Sequence, residues 1–100
     1  MDKREVIDKL LNYKLLVSKH FDIDKVVLFG SYAKGNPKED SDIDVAIIVN
    51  SISKDYFSYV HLLWKLRREI DDRIEPILIE KDHDESGFLS EILNTGLIIE

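Results

Sequence analysis

The sequence predicts an α/β (α+β) fold, in which a small mixed sheet of three to four strands is flanked by helices. Two long segments repeat apolar residues at helical spacing, and short β-branched apolar runs are typical of buried strands. Turn-forming residues separate these segments along the chain. Because 100 residues with 44% hydrophobic content suffice for one core, we expect a single domain over residues 1–100.

The first half of the chain predicts a helix followed by two strands. Apolar side chains at helical spacing predict an amphipathic helix over 3–19. The run 25–29 predicts a buried strand that ends in a tight turn at Gly30. Turn-forming residues over 35–41 predict a loop, and the run 42–49, polar at its start and apolar afterwards, predicts the second strand.

A second long helix is predicted between residues 54 and 70 from apolar residues at helical spacing. Trp64 on this helix is expected to belong to the core. Three aromatic residues lie too close together for all of them to be buried on one helical face, namely Tyr56, Phe57 and Tyr59. We therefore expect an apolar contact surface here, which a partner protein or a second copy of the chain could cover.

The last quarter of the chain predicts a strand, a helix and a short strand. The run 74–79 predicts the third strand, in which Pro76 removes one backbone donor and favours an edge position or a bulge. Ser86 can cap a last helix, and Gly96 lies where that helix would stop. Residues 97–99 can add a short fourth strand.

Composition narrows the class of protein. The net charge of −6 argues against a protein that binds a nucleic-acid backbone directly, because such affinity comes from clustered Lys and Arg. No apolar stretch approaches the roughly 20 residues of a membrane helix, so we expect no membrane association. The start of the chain lacks the features of a signal peptide, and there is no cysteine, which together predict a cytoplasmic protein.

An acidic pair is the first feature that indicates chemistry. Asp42 and Asp44 are two residues apart on a predicted strand, so their side chains leave the same face. Two like charges placed together need a counter-charge. Mg²⁺ is the natural candidate, since it is bound by one or two carboxylates together with water and phosphate oxygens. The pair therefore predicts a substrate that carries metal-bound phosphate.

A phosphate site is predicted just after the first strand. Gly30 has no Cβ, so its backbone can approach a phosphate closely. If Ser31 to Lys34 forms one helical turn, its free N–H groups and the Ser31 hydroxyl face an anion. Lys34, and Lys38 in the loop, could add positive charge near a triphosphate.

Glu75, near the start of the third strand, is the third candidate acid. It could face Asp42 and Asp44 across neighbouring strands, bind a second Mg²⁺ ion and accept a proton from an attacking hydroxyl group. These residues support attack of a hydroxyl on the α-phosphate of a nucleoside triphosphate, with pyrophosphate as the leaving group. The alternative is that Glu75 is an exposed acid at the end of a strand with no role in the reaction.

Two other motifs are excluded by their missing residues. Asp40, Asp42 and Asp44 imitate the start of an EF-hand, but Val45 replaces the required glycine and Ser51 the final glutamate. The spacing from Gly30 to Gly35 is that of a P-loop, yet Asn-Pro follows where Lys and Ser or Thr are needed.

The segments Gly30–Gly35 and Ser41–Asp44 together resemble the signature of the polymerase-β-like nucleotidyltransferase superfamily. Chain length, residues 73–76 and the tail 88–98 resemble its minimal nucleotidyltransferase (MNT) group, so the resemblance covers most of the chain. It implies the nucleotidyltransferase fold, with Ser31 holding phosphate and Asp42 and Asp44 binding Mg²⁺. The third acid of the superfamily is usually aspartate, whereas this chain has Glu75.

The resemblance also implies a biological role. Minimal nucleotidyltransferases often act as antitoxins that adenylylate a HEPN-domain ribonuclease, so we expect transfer of AMP from ATP to a hydroxyl of such a partner. One alternative is a catalytically weak module that neutralises a HEPN partner by binding alone. Another is a subunit that acts on a small molecule such as an aminoglycoside, although the acceptor domain of the larger members is missing here.

Overall fold

The computed structural model describes residues 2–35, 41–52, 55–83 and 87–100. Four strands and four α-helices alternate along these residues, and a 3₁₀ turn at Arg67–Glu69 extends the third helix. Their bounds are α1 Lys3–Val17, β1 Ile23–Phe29, α2 Ser31–Lys34, β2 Ile43–Val49, α3 Tyr56–Leu66, β3 Ile74–Glu80, α4 Phe88–Thr95 and β4 Leu97–Ile98.

The predicted elements are present, including the helical turn after Gly30. The prediction that Ser86 caps the last helix lies outside the described residues, as do most of the predicted loop and Lys38. Gly87 is the residue at the N-cap of α4, and Gly96 follows its last residue, as expected.

The sheet has the order β3-β2-β1-β4 and is mixed. β1 runs antiparallel to both β2 and β4, whereas β2 and β3 are parallel. β3 therefore lies at an edge of the sheet that the described residues form. This confirms the position expected from Pro76, since the missing N–H of a proline is tolerated at an edge.

The two faces of the sheet form two cores, because alternate residues of each strand point to opposite sides. Helices α1 and α3 cover one face, where Leu10, Tyr13 and Leu63 pack on odd-numbered β2 residues such as Val45. The shorter α4 covers the other face through Leu89 and Ile92, which belong to a smaller cluster with Val27, Ala46 and Ile48. Asp44 belongs to this second face, because it alternates with the buried residues of the first.

The structure corrects the expectation for Trp64. Its side chain is not in the core but is 36% exposed, because Leu63 and Leu66 occupy the buried side of α3. The expectation for the aromatic residues is confirmed in part. Tyr56 and Phe57 are 46% and 75% exposed, whereas Tyr59 packs edge-on against Phe21 with ring centroids 4.9 Å apart.

None of the helices in the described ranges has the length and apolar character needed to cross a membrane.

Asp71 connects α1 to the segment that leads into β3. Its carboxylate accepts a hydrogen bond from Lys9 at 2.6 Å and one from the Arg73 backbone N–H at 2.8 Å. Burial opposes ionisation, but the hydrogen bonds from Lys9 and Arg73 outweigh it and hold the pKa of Asp71 well below its usual range. The ionised form of Asp71 therefore stabilises the fold next to the strand that carries Glu75.

We expect Asp71→Asn to lower the free energy of unfolding at neutral pH by about 1.5–3 kcal/mol, the range for hydrogen bonds to charged groups. Because the pKa is lowered in the folded state, this contribution is complete above the unfolded pKa, about 3.9, and is lost as the pH falls toward the folded value. Urea unfolding at several pH values measures it. Asp82→Asn, at an exposed position, is the control, and an equal loss in both variants would contradict the prediction.

Candidate active site

The parallel pairing of β2 and β3 places two of the predicted acids side by side. Asp44 is the second residue of β2 and Glu75 the second residue of β3, and the two are direct register partners. Neighbouring register partners point to the same face of a sheet. Asp42 directly precedes β2, and its carboxyl group is close enough to Glu75 to raise the pKa of that residue. The structure thus brings together three carboxyl groups from two strands.

These carboxyl groups disfavour each other's ionised forms. Partial burial raises the pKa of Asp44, and the nearby charge of Asp42 raises it further. The pKa of Glu75 is raised by burial, by the charges of Asp42 and Asp44 and by the hydrogen bond with Asp42, against the opposing charge of Arg67. The cluster therefore favours a ligand that brings positive charge.

Gly30 lies directly against this cluster. The β1–β2 register pairs Phe29 with Asp44, so the residue after Phe29 passes beside the Asp44 carboxylate. A Cβ on Gly30 would lie 2.4 Å from Asp44 Oδ2. The backbone of Gly30 has φ +75° and ψ −151°, a conformation essentially restricted to glycine. Both features strongly disfavour any other residue at this position.

The turn α2 begins at Ser31, immediately after Gly30. The Lys34 N–H donates to the Gly30 carbonyl at 3.1 Å, and Gly35 closes the turn with φ +80°. Tyr32 fixes the turn to the core, where it is almost fully buried. Ser31 is half-buried and Lys34 is exposed. The first N–H groups of such a turn have no acceptor within it and can face an anion.

The donor set suits a hard cation that has few protein ligands. Carboxylate oxygens are the ligands that Mg²⁺ prefers, and one or two of them commonly suffice when phosphate and water complete the shell. Among the residues that the structure describes, no three His, Cys, Asp or Glu side chains are arranged to hold a metal ion together. The Asp42 and Asp44 carboxylates have the chemistry to hold such an ion, and the metal-binding roles of Asp42, Asp44 and Glu75 stay predictions.

Arg67 is a residue whose contribution the sequence analysis missed. Its Nη1 donates to the carbonyl oxygens of Asp72 and Ile74, the latter at 3.1 Å. These contacts hold the backbone directly before Glu75. Basic residues near helix C-termini often bind nearby carbonyl groups. The location of Arg67 at the end of the predicted helix was the signal in the sequence that could have indicated this role.

Comparison with known proteins adds independent information. Residues 12–100 match the family described as "Polymerase beta, Nucleotidyltransferase". A relative from Methanocaldococcus jannaschii, named "Putative protein adenylyltransferase MJ0141", is 32% identical over 97 residues, which cover 93% of this chain and 97% of the relative. A second, "Putative protein adenylyltransferase MJ1379" of the same organism, is 27% identical over 80% of this chain and 81% of the relative.

Two solved structures share the fold. A "putative nucleotidyltransferase from Sulfolobus solfataricus" superposes with a TM-score of 0.69 at 18% identity, over 96% of this chain and 80% of that one. A structure described as "the toxin-antitoxin with AMP-PNP" superposes with a TM-score of 0.60 at 22% identity, over 100% of this chain and 73% of that one. At these identities the likeness concerns the fold.

Proposed function

Since this chain belongs to the polymerase beta nucleotidyltransferase family, we propose that it transfers AMP from ATP to a protein hydroxyl group. The observation that carries the proposal is that Gly30 lies so close to Asp44 that a Cβ would meet its carboxylate, which joins the predicted phosphate turn to the acidic pair. Two relatives named as protein adenylyltransferases support AMP as the group transferred and a protein as the acceptor.

Each residue of the cluster has a role in this reaction. Asp42 and Asp44 would hold one or two Mg²⁺ ions, which would supply positive charge to neutralise the phosphates. Gly30 and the start of α2 accept the phosphates, with Ser31 donating through its hydroxyl and Lys34 adding positive charge. These groups orient the α-phosphate toward the acceptor.

The reaction itself is an in-line displacement. The acceptor hydroxyl oxygen forms a bond to the α-phosphorus while the bond to the bridging oxygen of pyrophosphate breaks. Glu75, beside Asp44, would receive the hydroxyl proton or help to hold a second ion.

The proposed acceptor is a HEPN-domain ribonuclease toxin, which would make this chain the antitoxin of a cytoplasmic pair. The sequence resemblance to the minimal nucleotidyltransferase group motivates this choice. The fold shared with a solved toxin–antitoxin structure that contains AMP-PNP supports it.

Intact-mass spectrometry tests the proposal. The toxin encoded beside this chain, or a panel of HEPN proteins if none is found there, is incubated with the protein, ATP and Mg²⁺. We expect a mass gain of one or more AMP units on the toxin, absent without Mg²⁺. A stable complex with no mass gain would reject the enzyme and favour neutralisation by binding alone.

Glu75 gives a specific prediction within this mechanism. We expect Glu75→Gln to slow transfer by roughly 100-fold or more, the usual range for loss of a general base. Glu75→Asp retains a carboxylate one methylene shorter and is expected to keep much of the rate. Single-turnover transfer measured across both variants checks the prediction. Equal rates for wild type and Glu75→Gln would show that Glu75 takes no part in the reaction.

A further inference from the structure

A basic cleft on the outer side of α3 lies apart from the acid cluster described above. It has a volume of about 300 Å³ and is lined by His61, Trp64, Lys65, Arg67 and Arg68. Positions 61, 64, 65 and 68 follow one another at helical spacing, so they share one face. We call these five residues the α3 cleft.

The α3 cleft is an unusual concentration of positive charge in a chain of net charge −6. Four basic side chains elsewhere pair with acids, namely Lys9 and Arg73 with Asp71, and Lys25 and Lys81 with Asp24. Within the described ranges, no ion pair involves a residue of the α3 cleft. The exposed charges of Lys65 and Arg68 are thus available to an external anion.

The floor of the cleft is held in place before any ligand binds. The Arg67 guanidinium lies 4.5 Å from the centroid of the Trp64 ring, a cation–π contact. Its Nη1 is held by the carbonyl oxygens of Asp72 and Ile74. Trp64 stays 36% exposed. A fixed aromatic and cationic floor reduces the ordering cost of binding, unlike isolated surface lysines.

The α3 cleft is also linked to the strand that carries Glu75. Arg67 contacts the carbonyl of Ile74, the residue directly before Glu75. β3 pairs on one side only, with β2, among the described strands. The α3 cleft lies on one face of the sheet and Glu75 on the other. A bound segment could pass from one to the other around the unpaired edge of β3.

We propose that the α3 cleft binds an acidic segment of the protein that accepts AMP and so presents the acceptor hydroxyl at the edge of β3. Carboxylates complement the unpaired cations, and an apolar or aromatic residue of the segment packs on Trp64. A short acidic segment fits better than a nucleic acid, because the net negative charge of the chain repels an extended polyanion. This inference rests on the proposed function for the identity of the acceptor.

The fluorescence of Trp64, the single tryptophan of the chain, reports binding directly. The probe is a short peptide of glutamates around a central tyrosine, and the same peptide with glutamines is its neutral counterpart. We expect the acidic peptide alone to change the fluorescence, with an effect that weakens as salt is added. In Lys65→Glu/Arg68→Glu, which keeps Trp64 and Arg67, the affinity should fall roughly tenfold or more.

The matched control is Arg4→Glu/Lys19→Glu, which makes the same charge change at exposed positions on and just after α1. It should bind the acidic peptide as the wild type does. Equal binding of both peptides, equal loss in both variants, or tighter binding of a single-stranded oligonucleotide would each overturn the proposal. Self-association that Lys65→Glu/Arg68→Glu abolishes would instead assign the cleft to a homodimer and overturn it as well.

Failure of this inference and failure of the proposed function give different results. The fluorescence titration uses no nucleotide, so peptide binding without AMP transfer would reject the enzyme and keep the cleft. In the transfer assay, Lys65→Glu/Arg68→Glu should raise the KM for the acceptor protein roughly tenfold or more. Transfer with an unchanged KM would reject the cleft and keep the enzyme.

Discussion

Replacement of both Asp42 and Asp44 by asparagine is expected to abolish AMP transfer without destabilising the fold. The loss of activity follows because the two carboxylates are the proposed ligands of Mg²⁺. Stabilisation of transition-state charge by such an ion is worth several kcal/mol, or roughly a thousandfold or more in rate. Intact-mass spectrometry of the toxin measures the loss.

The fold should survive because the acidic cluster costs stability. Burial and the Asp42 charge raise the pKa of Asp44 in the folded protein. The ionised form therefore destabilises the fold at neutral pH, and this penalty disappears as the pH falls below the usual carboxyl range. Asparagine removes it at every pH. The variant should accordingly have a Tm equal to or above that of the wild type.

The matched control is Asp22→Asn/Asp82→Asn, which removes two exposed carboxylates elsewhere and should transfer AMP normally. Transfer by Asp42→Asn/Asp44→Asn at the wild-type rate would contradict the site assignment. A large drop in its Tm would show that the pair has a structural role. If wild type and variant both neutralise the toxin without modifying it, the protein acts by binding alone.

Gly30→Ala is the second variant with a large expected effect, on both stability and activity. The backbone conformation of Gly30 costs other residues on the order of 1–3 kcal/mol. In addition, the new Cβ would lie 2.4 Å from Asp44 Oδ2, so the carboxylate must move. We expect a total loss of about 3 kcal/mol or more in the free energy of unfolding, together with loss of transfer. Urea unfolding and the mass assay measure the two effects.

Gly87→Ala separates the two causes, because Gly87 also has a positive φ, +76°, but open space around its Cβ position. It should lose only about 1–2 kcal/mol, the cost of the left-handed conformation. In the background of Asp44→Ala, which removes the contacting carboxylate, Gly30→Ala should cost less than in the wild type. A cost of Gly30→Ala no larger than that of Gly87→Ala would show that the contact with Asp44 carries no energy.

The local pattern of the sequence was sufficient to predict the elements and part of the site. Apolar periods predict helices and strands because each element buries one side, and the predicted segments are all present. The turn after Gly30 and the acidic pair next to β2 could also be predicted from local sequence. The geometry of these features depends on residues within a few positions of each other. Over such short distances the repeat of the backbone and the chirality of the residues allow few conformations.

The tertiary structure alone decided the relations between distant segments. Glu75 faces Asp44 because β2 and β3 pair in parallel with one particular register, and a shift by one residue would point it to the other face. Gly30 must lack a Cβ because of a carboxylate on the neighbouring strand. Trp64 stays exposed because Leu63 and Leu66 take the buried side of α3. Such contacts join residues far apart in sequence, so no local period encodes them, and only packing of the whole sheet and its helices determines them.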